Sequence, residues 1–238
     1  MAARRRTRRE AVKPLPVSPP PSQSHAPAWA PPLLIGVLAL AAYANSLANG
    51  FVWDDPIILT RQLVVFRTVG DVLLPPRDIP QFSPDYYRPL TIASYLLDRG
   101  LGGEHPFAFH LSVVIGHAIA SVLVYLLAQQ LLANGRGARP GAVVAGALFA
   151  VHPIHTESVA WAAGRSDVLA TTFVLAALLI HGRPRPSWRT AALSGLSAAA
   201  GLAAKETAIA LYPLMILRDL LVRPPERRSS STWAWAYA

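Results

Sequence analysis

Apolar residues run almost unbroken from Ala28 to Leu47, Phe107 to Leu132, Gly141 to His181, Ala191 to Ala204 and Thr207 to Val222, and charged residues gather between these runs. Roughly 20 apolar residues rising 1.5 Å each cross the ~30 Å hydrocarbon core of a bilayer. The Gly141–His181 stretch holds two such segments, parted by His152-Pro153-Ile154-His155-Thr156-Glu157 and Gly164-Arg165-Ser166-Asp167. The pattern predicts an all-α polytopic membrane protein with about six transmembrane helices, near residues 28–47, 107–132, 141–159, 165–181, 190–204 and 207–222. The fifth is short and rich in small residues, which suits tight helix packing.

Between the first two runs lies a loop, residues 49–106, far longer than the ordinary connection and so expected to carry structure or function of its own. Two short helices fit there. Ile57 to Phe66 is partly amphipathic; Pro89 suits a first helical position, and Leu90, Ala93, Leu97 and Leu101 then share one face, expected on the membrane surface with Asp98 and Arg99 turned to water. Residues 1–27 hold Arg4, Arg5, Arg6, Arg8, Arg9 and Lys13 before a proline-rich run and read as a disordered cytoplasmic tail, with residues 223–238 a second tail. Ala42-Tyr43-Ala44 after a basic region also fits a signal-peptide cleavage site, but the long tail and the later spans favour an uncleaved anchor.

Composition agrees with the membrane reading. Of 238 residues, 53% are hydrophobic and 15% charged, with mean hydropathy +0.34. The net charge of +9 forms no continuous basic surface, so a nucleic-acid partner is not expected. With no cysteine, disulfides, thiolate metal sites and thiol nucleophiles are excluded. Basic residues are almost all arginine, and alanine and proline are abundant, a usage associated with GC-rich bacterial genomes. Placing the amino terminus inside puts the basic loops around Arg136, around Arg185 and after Arg218 on the cytoplasmic side. The loop 49–106, with seven acidic residues against five arginines, then faces outward, together with Asp54, Asp55, His152, His155, Glu157, Arg165, Asp167, Lys205 and Glu206. A bacterial cytoplasmic membrane, or the endoplasmic reticulum membrane in a eukaryote, is the expected location.

Each polar group admits two readings. Asp54-Asp55 before Pro56 is good turn chemistry, the reading that local sequence favours, and could also be a coupled acidic pair serving as general base at a membrane surface. His152, His155 and Glu157 resemble metal-ligand spacing only loosely and do not match a helical pair of zinc ligands; Pro153 ending one helix and Thr156 capping the next accounts for the spacing, yet polar groups at this depth mark sites. Lys205 is a snorkelling anchor, a partner of Glu206, or a point charge for a lipid phosphate. Arg88 and Arg165 share the anchor and phosphate readings.

Read in order, Asn45-Ser46-Leu47-Ala48-Asn49-Gly50-Phe51-Val52-Trp53-Asp54-Asp55, Tyr87-Arg88-Pro89-Leu90-Thr91, Phe109-His110-Leu111, His117-Ala118, Phe149 to Glu157, Gly164-Arg165-Ser166-Asp167 and Lys205-Glu206 form a familiar series. From Ala41 to about Leu221 the chain resembles the amino-terminal membrane part of the transmembrane and tetratricopeptide-repeat protein family. These are GT-C-fold glycosyltransferases similar to protein O-mannosyltransferases. The resemblance implies transfer of a sugar, most simply mannose, from a polyprenyl or dolichyl phosphate to a hydroxyl, Ser or Thr of a protein, at the outer or lumenal face. It implies catalysis by Asp54 and Asp55 with inversion at the anomeric carbon, and donor-phosphate binding by Lys205 with Arg88 and Arg165. His152, His155, Glu157, Asp167 and Glu206 are then expected to line the donor or acceptor pocket, with no metal and no cofactor. Members of that family continue into further spans and a tetratricopeptide array, and no helical-hairpin repeat of ~34 residues occurs here. A truncated or non-catalytic membrane subunit that keeps the fold is therefore the alternative.

Overall fold

A computed structural model describes residues 27–75, 87–133, 137–183, 185 and 187–222, all helical or irregular. The expected tails, apart from Pro27, lie outside the described residues. Helix α1 (Ala30–Ala42) passes into a 3-10 turn (Ala44–Ala48). The loop then holds a wide π-type turn (Pro56–Gln62), a 3-10 turn (Leu63–Val65), α2 (Val69–Leu73) and α3 (Pro89–Gly102). There follow α4 (Pro106–Leu132), α5 (Ala138–Val151), α6 (Thr156–Ala160), α7 (Arg165–His181), α8 (Trp188–Ala204) and α9 (Leu211–Val222).

Local chemistry sets the boundaries. Pro89 and Pro106 open α3 and α4 at the position where a missing N–H costs nothing. Gly103, at φ 64°, ends α3 in a conformation that side chains with a Cβ avoid. Ser187 and Thr190 close a capping box at the start of α8. Pro153 cannot donate into a helix and its ring clashes with the preceding turn, so α5 and the 153–160 segment meet at a 43° bend.

Helix α4 is the centre, packing against α1, α3, α5, α6 and α7, while α7 carries α8 and α9. Where α1, α4 and α5 cross, a Cβ on Gly146 would lie 2.8 Å from Ile35 and 2.9 Å from Tyr125, so only glycine permits that approach. Each of the six predicted apolar segments contains helix. By length and composition α4 can cross a membrane alone, and α5 with residues 153–160 as one bent span. Helices α1, α5 and α8 run toward the end that carries the loop, and α4, α7 and α9 run away from it.

The loop is not a loose connection. Leu59, Leu63, Phe66, Val72, Ile92 and Tyr95 bury against Phe109 of α4 and Ala162 of the α6–α7 turn, capping that end of the bundle. The amphipathic reading of α3 needs correction: Thr91, Ile92, Tyr95 and Asp98 face inward, and Leu97 and Leu101 are the exposed apolar pair. Asp98 turns in because Arg165 waits there. The predicted cap is also displaced. His152, through Nδ1, accepts the Ile154 N–H at 3.2 Å, and Thr156 makes no cap.

Candidate active site

The turn Phe51 to Asp55 is closed from both sides. The Asp55 N–H donates to the Val52 carbonyl at 3.0 Å, and the Val52 N–H donates back to Asp55 Oδ2 at 3.1 Å. Between them Trp53 is held at φ 52°, the one non-glycine residue at positive φ among the described residues. A bulky side chain there costs about 1–2 kcal/mol, so the reciprocal bonds hold a strained peptide in place. Phe51 packs edge-on to Phe109 at 5.4 Å and seats the turn on α4.

The two carboxylates then part company. Asp55 is fully buried, and its Oδ1 accepts the Ala163 N–H at 2.8 Å, 108 residues along the chain. Burial raises its proton affinity above the ordinary carboxylate range, against the pull of the Val52 and Ala163 N–H groups and of His110. Asp54 is exposed. One acid is thus a strut and its neighbour presents a carboxylate to solvent.

The strut reaches a turn that is itself clamped. Tyr95 donates its hydroxyl to the Ala163 carbonyl at 3.1 Å, so Ala163 is held by Asp55 on one side and Tyr95 on the other. Burial raises the Tyr95 phenol well above its usual range and keeps it a donor. A Cβ on Gly164 would lie 2.8 Å from the Glu157 carbonyl oxygen and 3.2 Å from Ser158 Cα, both backbone atoms. The glycine lets the α6–α7 turn fold flat onto α6. Arg165 is 3% exposed and ion-pairs with Asp98. It also donates to the Phe109 carbonyl at 2.8 Å and Ser94 Oγ at 3.3 Å, under the Tyr95 ring at 4.5 Å.

Two residues further along α7, Asp167 accepts both its bonds from Lys205 Nζ, at 2.6 and 2.7 Å. Lys205 is therefore not the partner of Glu206, which instead binds Arg88 at 2.7 and 3.1 Å. That bidentate pair lowers the Glu206 proton affinity. Thr91 Oγ1 donating to the Ala204 carbonyl at 2.9 Å joins the start of α3 to the end of α8 beneath the two ion pairs.

Beside Asp167 lies a small open pocket of about 70 Å³ lined by His117, Phe149, His155, Ser158, Asp167 and Thr171, among others. Its aromatic wall is a cluster in which Phe149 and His155 sit 4.3 Å apart and His117 stacks on Phe149 at 5.5 Å. His117 Nε2 lies 3.1 Å from the Ala150 carbonyl. Of the three polar residues at the helix break only His155 lines this pocket; His152 and Glu157 are exposed outside it. Among the described residues no three His, Asp or Glu side chains gather as a metal shell.

The fold thus brings Asp54, Asp55, Arg165, Asp167, Lys205, Arg88, Glu206 and His155 to one end of the bundle. It adds Tyr95, Asp98, Ser158 and Thr171, which the sequence reading passed over as functional groups. Nothing local in the sequence marks these groups, because Tyr95 and Asp98 acquire their partners only where separate segments meet.

Residues 95–238 match the family described as dolichyl-phosphate-mannose-protein mannosyltransferase. The chain is 37% identical over 194 residues to the protein O-mannosyl-transferase Tmtc1 of Drosophila melanogaster, covering 77% of this chain and 22% of that protein. It is 31% identical over 201 residues to the human protein O-mannosyl-transferase TMTC3, covering 80% of this chain and 21% of that one. With human TMTC4 the identity is 32% over 227 residues, 85% of this chain and 30% of the relative. The chain therefore spans less than a third of the length of these relatives. No solved structure matches it. The match over residues 95–238 together with these similarities establishes that the chain belongs to the dolichyl-phosphate-mannose-protein mannosyltransferase family.

Proposed function

We propose that the chain is the membrane part of a GT-C-type mannosyltransferase that moves mannose from a dolichyl or polyprenyl phosphate to a Ser or Thr hydroxyl of a protein. The observation that carries it is the division of labour between the two acids. Asp54 is exposed while Asp55 is locked to Ala163, which is what a positioned general base requires. Asp54 takes the proton from the acceptor hydroxyl as its oxygen attacks the anomeric carbon. The bond from that carbon to the phosphate oxygen breaks with inversion, and the lipid phosphate leaves with the electron pair. Lys205 and Arg88 supply positive charge at the leaving oxygen, released from Asp167 and Glu206 as the phosphate arrives. Arg165, buried and saturated by protein partners, supports the site from below through Asp98, and His155 and Asp167 border the donor sugar. His152 and Glu157 lie at the rim.

In this reading the six apolar segments span the membrane over about 28–222, with the loop 49–106 outside and residues 1–27 and 223–238 in the cytoplasm. The test is transfer from a dolichyl- or polyprenyl-phosphate-linked mannose in membranes, beside the Asp54→Asn form. Transfer that vanishes in the variant supports it; transfer indifferent to Asp54 sinks the base. A second reading, a non-catalytic subunit that keeps the fold, draws on the ion pairing of Arg88, Arg165 and Lys205. It requires no transfer from any lipid-linked donor and no effect of either aspartate on partner or lipid binding.

A further inference from the structure

Trp53 is 78% exposed, although it sits in a turn whose backbone bonds force it to positive φ. An indole pushed outward by strain, next in the chain to an exposed carboxylate, calls for a reason beyond packing. It does not stand alone. Trp161, from the end of α6, meets it edge to face, with ring centroids 5.6 Å apart and planes at 68°. The two indoles come from segments that Asp55 ties together through Ala163, so the same strut that fixes Asp54 fixes their spacing. Trp161 Nε1 is buried and has no hydrogen-bond partner among the described residues. Neither indole lines the pocket beside Asp167, and neither takes part in the Lys205–Asp167 or Arg88–Glu206 pairs.

We infer that Trp53 and Trp161 form the platform that holds the acceptor polypeptide, an inference that rests on the reading of Asp54 as base. The acceptor hydroxyl must come within hydrogen-bond reach of Asp54, and the residue before it in the chain presents an exposed indole. Indole faces take aliphatic, prolyl and peptide planes with little loss of side-chain entropy. Trp161, its Nε1 turned inward, backs the Trp53 ring edge to face and fixes its orientation. The platform selects an extended segment with an apolar residue beside the Ser or Thr, and the carboxylate of Asp54 disfavours an acidic one there.

The experiment uses the whole chain in membranes and a biotinylated peptide of repeated Ala-Thr units. Trp53→Ala is expected to raise the acceptor KM roughly tenfold while donor KM and the slow hydrolysis of the donor by water stay unchanged. Trp161→Phe keeps an aromatic contact with Trp53 but narrows it, and should show a smaller rise in the same constant. An unchanged acceptor KM, or an equal rise in donor KM, overturns the platform. In a parallel arm Trp53 is replaced by p-benzoylphenylalanine and irradiated with the peptide. A peptide crosslink weakened by Trp161→Ala supports the platform even if no mannose is transferred, in which case the proposed reaction fails and the binding surface stands. Crosslinks to lipid alone make Trp53 a membrane-interface anchor and overturn the inference.

Discussion

The Asp55 carboxylate accepts the backbone N–H of Ala163 at 2.8 Å and so joins the first loop to the turn before α7. Because its other oxygen accepts the Val52 N–H, an asparagine at this position has one oxygen for two donors. Asp55→Asn is expected to lower stability by about 1–3 kcal/mol, the cost of a buried donor left without an acceptor. Asp54→Asn, at an exposed position, should leave stability unchanged and reduce transfer by about 10²–10⁴-fold. Thermal unfolding in detergent beside a transfer assay separates the two, and equal stability losses would count against the strut.

Asp55 and Glu206 set opposite pH dependences. The folded-state proton affinity of Asp55 is raised, so its contribution is fully present below the ordinary aspartate value of about 3.9 and is lost as pH rises through the elevated one. Glu206 is depressed by Arg88, so its smaller contribution is present above the ordinary glutamate value of about 4.3 and is lost as pH falls through the depressed one. Difference profiles of wild type against Asp55→Asn and against Glu206→Gln should slope in opposite directions. Parallel profiles would contradict the assigned environments.

Gly164→Ala places a methyl against the backbone of Glu157 and Ser158, neither of which can swing aside. A loss of about 1–3 kcal/mol is expected, as for other forced overpacking. Gly195→Ala, with open space around the added carbon, should be neutral or slightly stabilising because alanine favours a helix. Unfolding midpoints of the two variants check the contrast.

Removing either member of the Asp98–Arg165 pair leaves a buried charge alone, at a cost of about 3–5 kcal/mol. The double substitution Asp98→Leu with Arg165→Met should cost less than the two single changes together. A double-mutant cycle on unfolding free energy reads this coupling, and simple additivity would mean that the two residues act independently.

Lys205→Ala should raise the donor KM and leave the acceptor KM alone. Asp167→Asn frees the ammonium from its anionic partner and should lower the donor KM if incoming phosphate displaces that carboxylate. Steady-state kinetics with varied lipid-linked donor decide the matter, and a rise in both variants would assign Asp167 to direct sugar binding.

Much of the framework was legible in the residues. Apolar runs located the helices to within a few positions, because helix length and hydrophobicity are properties of contiguous sequence. Prolines at 89 and 153 marked a start and a break, because their backbone restrictions act locally. The end of the bundle that gathers Asp54, Asp55, Lys205 and Glu206 followed from counting alternating helices. Which acid is buried could not be read, because Asp54 and Asp55 differ only in the direction the turn gives them and in whether Ala163 arrives from 108 residues away. The inward turn of Asp98 was hidden for the same reason: an isolated helix sends its charge to water, and only a buried Arg165 on another helix reverses that. Lys205 pairing with Asp167 instead of adjacent Glu206 likewise depends on the packing of α8 on α7. Local sequence determined where chain elements begin and end; tertiary contacts alone decided which charged groups meet, because electrostatic partners are chosen by distance in space.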